Sequence, residues 1–104
     1  MDNNREKLSR IETVFGSAIE QTRGCGVNID QVTIDAHVDH VDILVGGHSK
    51  ALFEVNAEGS IRGPLLGFHD PIGLGSISDD GVEFNIAWAI KNELLDEIKP
   101  QQTH

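Results

Sequence analysis

Residues 32 to 45 read VTIDAHVDHVDILV, and their apolar positions alternate before changing phase once. Val32, Ile34, Ala36 and Val38 hold the even positions, and Val41, Ile43 and Val45 hold the odd ones. A strand buries one face at a period of two, so a single phase change marks a turn or a bulge. A two-residue turn at Asp39-His40 would set Val38 opposite Val41, Ala36 opposite Ile43 and Ile34 opposite Val45. The other face then gathers Asp35, His37 and Asp42, with Asp39 and His40 at the tip. One segment therefore predicts both a core hairpin and a polar His/Asp cluster.

Helical periodicity precedes this segment. Leu8, Ile11, Phe15, Ala18 and Ile19 recur at three- and four-residue spacing, with Val14 beside them, which predicts an amphipathic helix over 4–22. Asn3 stands where a cap belongs, Glu6 where a capping-box acid belongs, and Gly24 and Gly26 mark the end. Lys7, Glu12, Glu20 and Arg23 fall on the face expected to be wet.

After the hairpin, Gly46-Gly47-His48-Ser49 reads as turn material. Ala51, Phe53 and Val55 then alternate with Leu52, Glu54 and Asn56. Asn56-Ala57-Glu58-Gly59 reads as a turn with glycine at the left-handed position. Ile61-Arg62-Gly63 makes a short strand before Pro64. Residues 64–80, PLLGFHDPIGLGSISDD, are too long for an ordinary turn, and their apolar content argues for packing rather than disorder. A short strand at 74–78 fits within them. Ile86, Ile90, Leu94 and Ile98 then hold four-residue spacing, which predicts a helix over 82–98, capped by Asp79 or Asp80 and stopped by Pro100.

These elements make an α+β domain: an N-terminal helix, an antiparallel meander of three to five strands, a long Gly/Pro loop and a C-terminal helix. Both helices are expected on one side of the sheet. At 104 residues the chain is one domain, 1–104, with frayed ends at 1–3 and 100–104.

Composition narrows the partners. The formal net charge is -9, and such a field repels nucleic-acid phosphate and anionic lipid while suiting a basic protein partner. Cys25 is the single cysteine, so no internal disulfide and no cysteine zinc site is available. MDNNREKL lacks the apolar stretch of a signal peptide, and no run approaches the ~20 apolar residues of a membrane span. The expected compartment is the cytoplasm, and no cofactor is implied.

Four places carry candidate chemistry. His37, Asp39 and His40 on the hairpin, with His69 and Asp70 from the long loop, form a candidate ligand or metal site, because imidazole and carboxylate are ordinary ligands for first-row metals. His69-Asp70 alone could serve acid-base work, though neighbours in sequence rarely face each other and Asp70-Pro71 is a good turn. Gly73-Leu-Gly75-Ser-Ile-Ser78 before a helix suggests a phosphate cradle, but no lysine follows it and Asp79-Asp80 would repel phosphate. The C-terminal helix is apolar on too wide a surface. Val82, Ile86, Ala89, Ile90 and Leu94 make the face for the sheet, while Phe84, Trp88 and Leu95 make a second stripe. That stripe needs a cover, either from 64–80 or from a second chain. The reading this supports is a small acidic, non-catalytic binding or inhibitor-type protein that acts by protein–protein contact and forms a homodimer. The alternative is a small-molecule or metal-binding domain built on the His/Asp cluster and the 64–80 loop.

Overall fold

The computed structural model describes residues 2–24, 30–65 and 71–102, with side chains over 4–24, 30–65 and 71–94. Its elements are helix α1 (Asp2–Gly24), strands β1 (Val32–Ala36), β2 (His40–Val45), β3 (His48–Val55), β4 (Ser60–Gly63) and β5 (Ile72–Ser76), and helix α2 (Val82–Gln102). The strands form one sheet in the order β1-β2-β3-β4-β5, every pair antiparallel. Each strand thus lies beside its neighbour in sequence.

The inward face of the sheet carries Val41, Ile43, Ala51, Phe53, Val55, Ile61 and Leu74, all buried. Both helices cover this face. From α1 come Ile11, Val14, Phe15, Ala18 and Ile19, and from α2 come Val82, Ile86, Ala89, Ile90 and Leu94. Phe15 and Phe53 meet edge to face at the centre, ring centroids 5.4 Å apart and planes at 63°, a favoured aromatic geometry. In α2 the helical period buries Val82, Ile86, Ala89, Ile90 and Leu94 while leaving Phe84 and Trp88 exposed; a strand would have put Phe84 and Trp88 on the same face as Ile86. The outward face of the sheet, with Asp35, Asp42, Glu54 and Arg62, has no helix on it among the described residues.

The helices are longer than the periodicity predicts. α1 begins at Asp2, so Asn3 lies within the first turn rather than capping it. α2 runs past Pro100 to Gln102, so the proline does not stop the helix as the sequence predicts. Nor does Asp79 cap α2 with its side chain. Its Oδ2 accepts a hydrogen bond from the Ser76 N–H at 2.9 Å, and its main-chain carbonyl lies 3.4 Å from Val82 N. Asp79 therefore closes the turn that leads into the helix.

The first hairpin forms, with its turn one residue earlier than Asp39-His40. Val32 pairs with Val45, Ile34 with Ile43 and Ala36 with Val41, and His37 N–H donates to the His40 carbonyl at 2.8 Å across Val38-Asp39. Val38 is consequently a half-buried tip residue rather than the partner of Val41. The face assignment survives, because the two registers differ by two residues and the pleat repeats every two. Gly46-Gly47 selects between them. Both have positive φ, 60° and 85°, the backbone of a type I′ hairpin turn. That turn takes Gly47 out of the ladder, and the expected register would have needed it as the partner of Val32.

The remaining turns follow the residues. Asn56 Oδ1 accepts from the N–H groups of Glu58 and Ser60 at 3.0 and 2.9 Å, and Gly59 has φ 88°. From α1, Lys7 Nζ donates to the Asn56 carbonyl at 2.9 Å, which ties the helix to this turn and leaves Lys7 only partly wet. The short strand inside the long loop is β5, which spans 72–76 rather than 74–78 and pairs with β4.

Candidate functional site

Two places carry chemistry that the fold itself does not require. The first is the β1–β2 tip. His37 and His40 flank the turn, and their rings stack with centroids 4.3 Å apart and planes within 16° of parallel. Each ring also meets an acid. His37 Nε2 lies 3.2 Å from Asp35 Oδ1, and His40 Nδ1–H donates to Asp39 Oδ1 at 2.7 Å. The hydrogen bond from His40 holds the Asp39 carboxyl below its ordinary value, and the charges of His40 and His37 act in the same direction. Asp35 and Asp42 face each other directly across the strands, an unfavourable like-charge pair. His37 beside Asp35, and the Ser49 hydroxyl that donates to Asp42, offset it.

This tip brings together His37, Asp39 and His40 as the sequence predicts. His69 and Asp70 lie outside the described residues, as does Cys25. Among the described residues no group of three His, Cys, Asp or Glu side chains has a geometry that could hold a metal ion. The stack gives the reason. Imidazole lone pairs lie in the ring plane, so two near-parallel stacked rings do not aim at one point. The other ring nitrogens, His37 Nδ1 and His40 Nε2, can each accept or donate one hydrogen bond separately.

The phosphate cradle at 73–78 is already occupied by the protein itself. Ser76 N–H points at Asp79 Oδ2, and Ser78 N–H at the Ser76 hydroxyl at 3.2 Å. An acid sits where an anion would have to bind.

The second place is the surface of α2. Phe84 is 63% exposed and Trp88 56%, the two largest exposures among the described large hydrophobics. They stand one turn apart, on the side of α2 away from Ile86 and Ile90. The side chain of Leu95, the third member of the expected stripe, lies outside the described residues. Phe84 and Trp88 border a groove of about 470 Å³ between α2 and the end of α1, lined by the buried Ala87 and Thr22, the half-buried Gln21 and Lys91 and the exposed Gly24. The groove exists because small residues lie between large ones. Ala87 and Gly24 leave a gap that Phe84 and Trp88 flank without filling. Thr22 is fully buried and satisfies its hydroxyl on the Ile19 carbonyl at 2.6 Å, so the lining offers no free polar group there.

The helical stripe in the sequence points to Phe84 and Trp88. The contribution of Gln21, Thr22 and Gly24 is not visible from it, because it depends on how α1 lies against α2. Ala87, set between two aromatics, is the one local sign of a recess.

A second recess, about 290 Å³, continues along the same α1–α2 seam toward the start of α2. It is lined by Arg10, Thr13 and Ser17 of α1, and by Ser78, Asp79, Asp80 and Glu83 ahead of and within the first turn of α2. The seam is therefore apolar at one end and acidic at the other.

Comparison of the chain with protein-family models, curated proteins and solved structures finds no match. Among the described residues no helix is long and apolar enough to cross a membrane.

Proposed function

We propose that this chain is a small, non-catalytic binding or inhibitor-type protein, acting through protein–protein contact at the groove beside Phe84 and Trp88. One observation carries the reading: two large aromatics, 63% and 56% exposed, one turn apart beside an apolar recess. Exposing such a pair to water costs free energy that a partner would recover, and tryptophan is enriched among residues that dominate interfaces. The polar clusters favour this reading over catalysis. The stacked histidines do not converge on a reacting atom, and Asp79 fills its own amide nest.

Self-association through the same patch is the second reading. It is favoured by the one-turn spacing, since two aromatics so placed can interleave with their own copies across a two-fold axis.

The test is photo-cross-linking. A photoreactive amino acid at position 84 should give a discrete adduct in the native cell, and the same group at position 62, on the outward face of the sheet, should not. Light scattering across a dilution series then separates a copy of the chain from another protein. Absence of any adduct from position 84, with a monomer at high concentration, would remove the reading.

A further inference from the structure

We infer that the occupant of the groove is a basic amphipathic segment of another protein, with an apolar residue seated between Phe84 and Trp88 and Lys or Arg side chains lying toward Asp80 and Glu83. The inference rests on the groove being a protein contact, and it adds the chemistry of the partner.

Charge along the seam decides it. The two recesses follow one another along both helices: α1 lines the acidic one with Arg10, Thr13 and Ser17 and the apolar one with Gln21, Thr22 and Gly24, while α2 lines them with Glu83 and then Phe84, Ala87, Trp88 and Lys91. A ligand anchored at Trp88 and lying along the seam must pass Glu83 and Asp80. At 1.5 Å per residue, Glu83 and Trp88 are about 7.5 Å apart along α2, a separation that one turn and a half of a helical ligand spans. At the acidic end Asp79, Asp80 and Glu83 face a single guanidinium, Arg10. Asp79 is engaged with Ser76, which leaves two carboxylates whose charge Arg10 only partly offsets. At the other end Lys91 is the one cation among the described residues that line the groove. The seam therefore selects polarity as well as composition: cations at the Asp80 end, and an apolar or acidic residue at the Lys91 end.

The rest of the molecule agrees in sign. With a formal net charge of -9, a second copy would bring its own negative field toward the acidic recess, whereas a basic segment would be steered in. An amphipathic helix that lays its apolar face into a groove is a recurrent recognition mode, read as anchors at one- and two-turn spacing.

The intrinsic fluorescence of Trp88 reports binding directly, since it is the only tryptophan. The probes are three tryptophan-free 18-residue peptides with one shared leucine face and a polar face of Lys, Gln or Glu. The Lys peptide should shift Trp88 emission to shorter wavelength and saturate, at least tenfold tighter than the Gln peptide, with the Glu peptide weakest. Asp80→Asn with Glu83→Gln should weaken the Lys peptide about tenfold. Glu54→Gln with Glu58→Gln, the same charge change elsewhere on the surface, should leave it unchanged. Equal affinity for Lys and Gln peptides, or equal loss from both charge pairs, would overturn the basic partner while keeping the groove as a contact. No response to any peptide, with a dimer by light scattering that Trp88→Ala dissociates, would assign the groove to a second copy and overturn the inference. No response together with a stable monomer would remove the protein-contact reading as well.

Discussion

The imidazole of His37 lies face to face with that of His40, ring centres 4.3 Å apart, across a turn of two residues. Each ring is tethered at its outer edge by a carboxylate, Asp35 for His37 and Asp39 for His40. The arrangement is a stack held from both sides, at the exposed tip of the hairpin.

The Asp39 carboxyl should titrate below its ordinary value of 3.8, because the hydrogen bond from His40 stabilises the ionised form. Carboxyl-carbon NMR measures the midpoint. The sign for stability follows from the depressed value. The pair contributes above the unfolded pKa, and the contribution is lost as pH falls through the lowered, folded pKa. His40→Gln should move the midpoint back toward 3.8. An Asp39 midpoint that ignores this substitution would show that the bond is not held in solution.

Zinc at micromolar concentration should leave the melting temperature unchanged. Stacked rings cannot both direct a lone pair at one ion, and a cation that binds only the folded state would raise the transition by mass action. A rise that His37→Ala abolishes would mean that the rings separate to chelate.

Trp88 and Phe15 should differ several-fold in what truncation costs. Phe15 is fully buried against Phe53, so Phe15→Ala should cost about 3–5 kcal/mol in urea unfolding. Trp88→Ala should cost about 1 kcal/mol, the loss at its buried edge being partly offset by the helix propensity of alanine. Comparable losses for the two would place Trp88 under cover in the free protein.

Gly63 should resist any side chain. A Cβ there would lie 2.6 Å from Phe53 Cδ2 and 3.0 Å from the Leu52 carbonyl oxygen. Gly63→Ala should therefore destabilise by about 1–3 kcal/mol through overpacking. Gly73→Ala, on the neighbouring edge strand, meets nothing within 4 Å and should be close to neutral. Thermal denaturation of the two variants side by side makes the comparison, and equal midpoints would refute the close approach.

The α+β layout was legible because period 2 and period 3.6 alternate cleanly along the chain. Val32 to Val45 and Ala51 to Val55 read as strands, and Ile86, Ile90 and Leu94 read as a helix. The hairpin register was not legible from the same pattern. A slip of two residues keeps Ile34 and Ile43 on the same face, and only the backbone demand of Gly46-Gly47 separates the choices. Strand β5 was obscured for a different reason. Gly73 and Gly75 alternate with Leu74, so one side of that strand offers no side chain to announce it. At the candidate site, the Phe84 and Trp88 stripe was readable as excess apolar width on α2. The recess beside it was not, since it is made by Gly24 and Thr22 at the far end of another helix. The histidine pair was readable as a cluster, but not as a stack, because stacking needed the turn to fall at Val38-Asp39.

Strand order in the sheet is identical to strand order in the chain. The consequence is temporal. As such a polypeptide leaves the ribosome, every strand finds its partner already synthesised and adjacent, so the sheet can grow hairpin by hairpin without holding any edge open for a distant segment. The wait falls instead on the inward face of that sheet, which stays half covered until α2, made after all five strands, closes over Phe53 and Val55 beside α1.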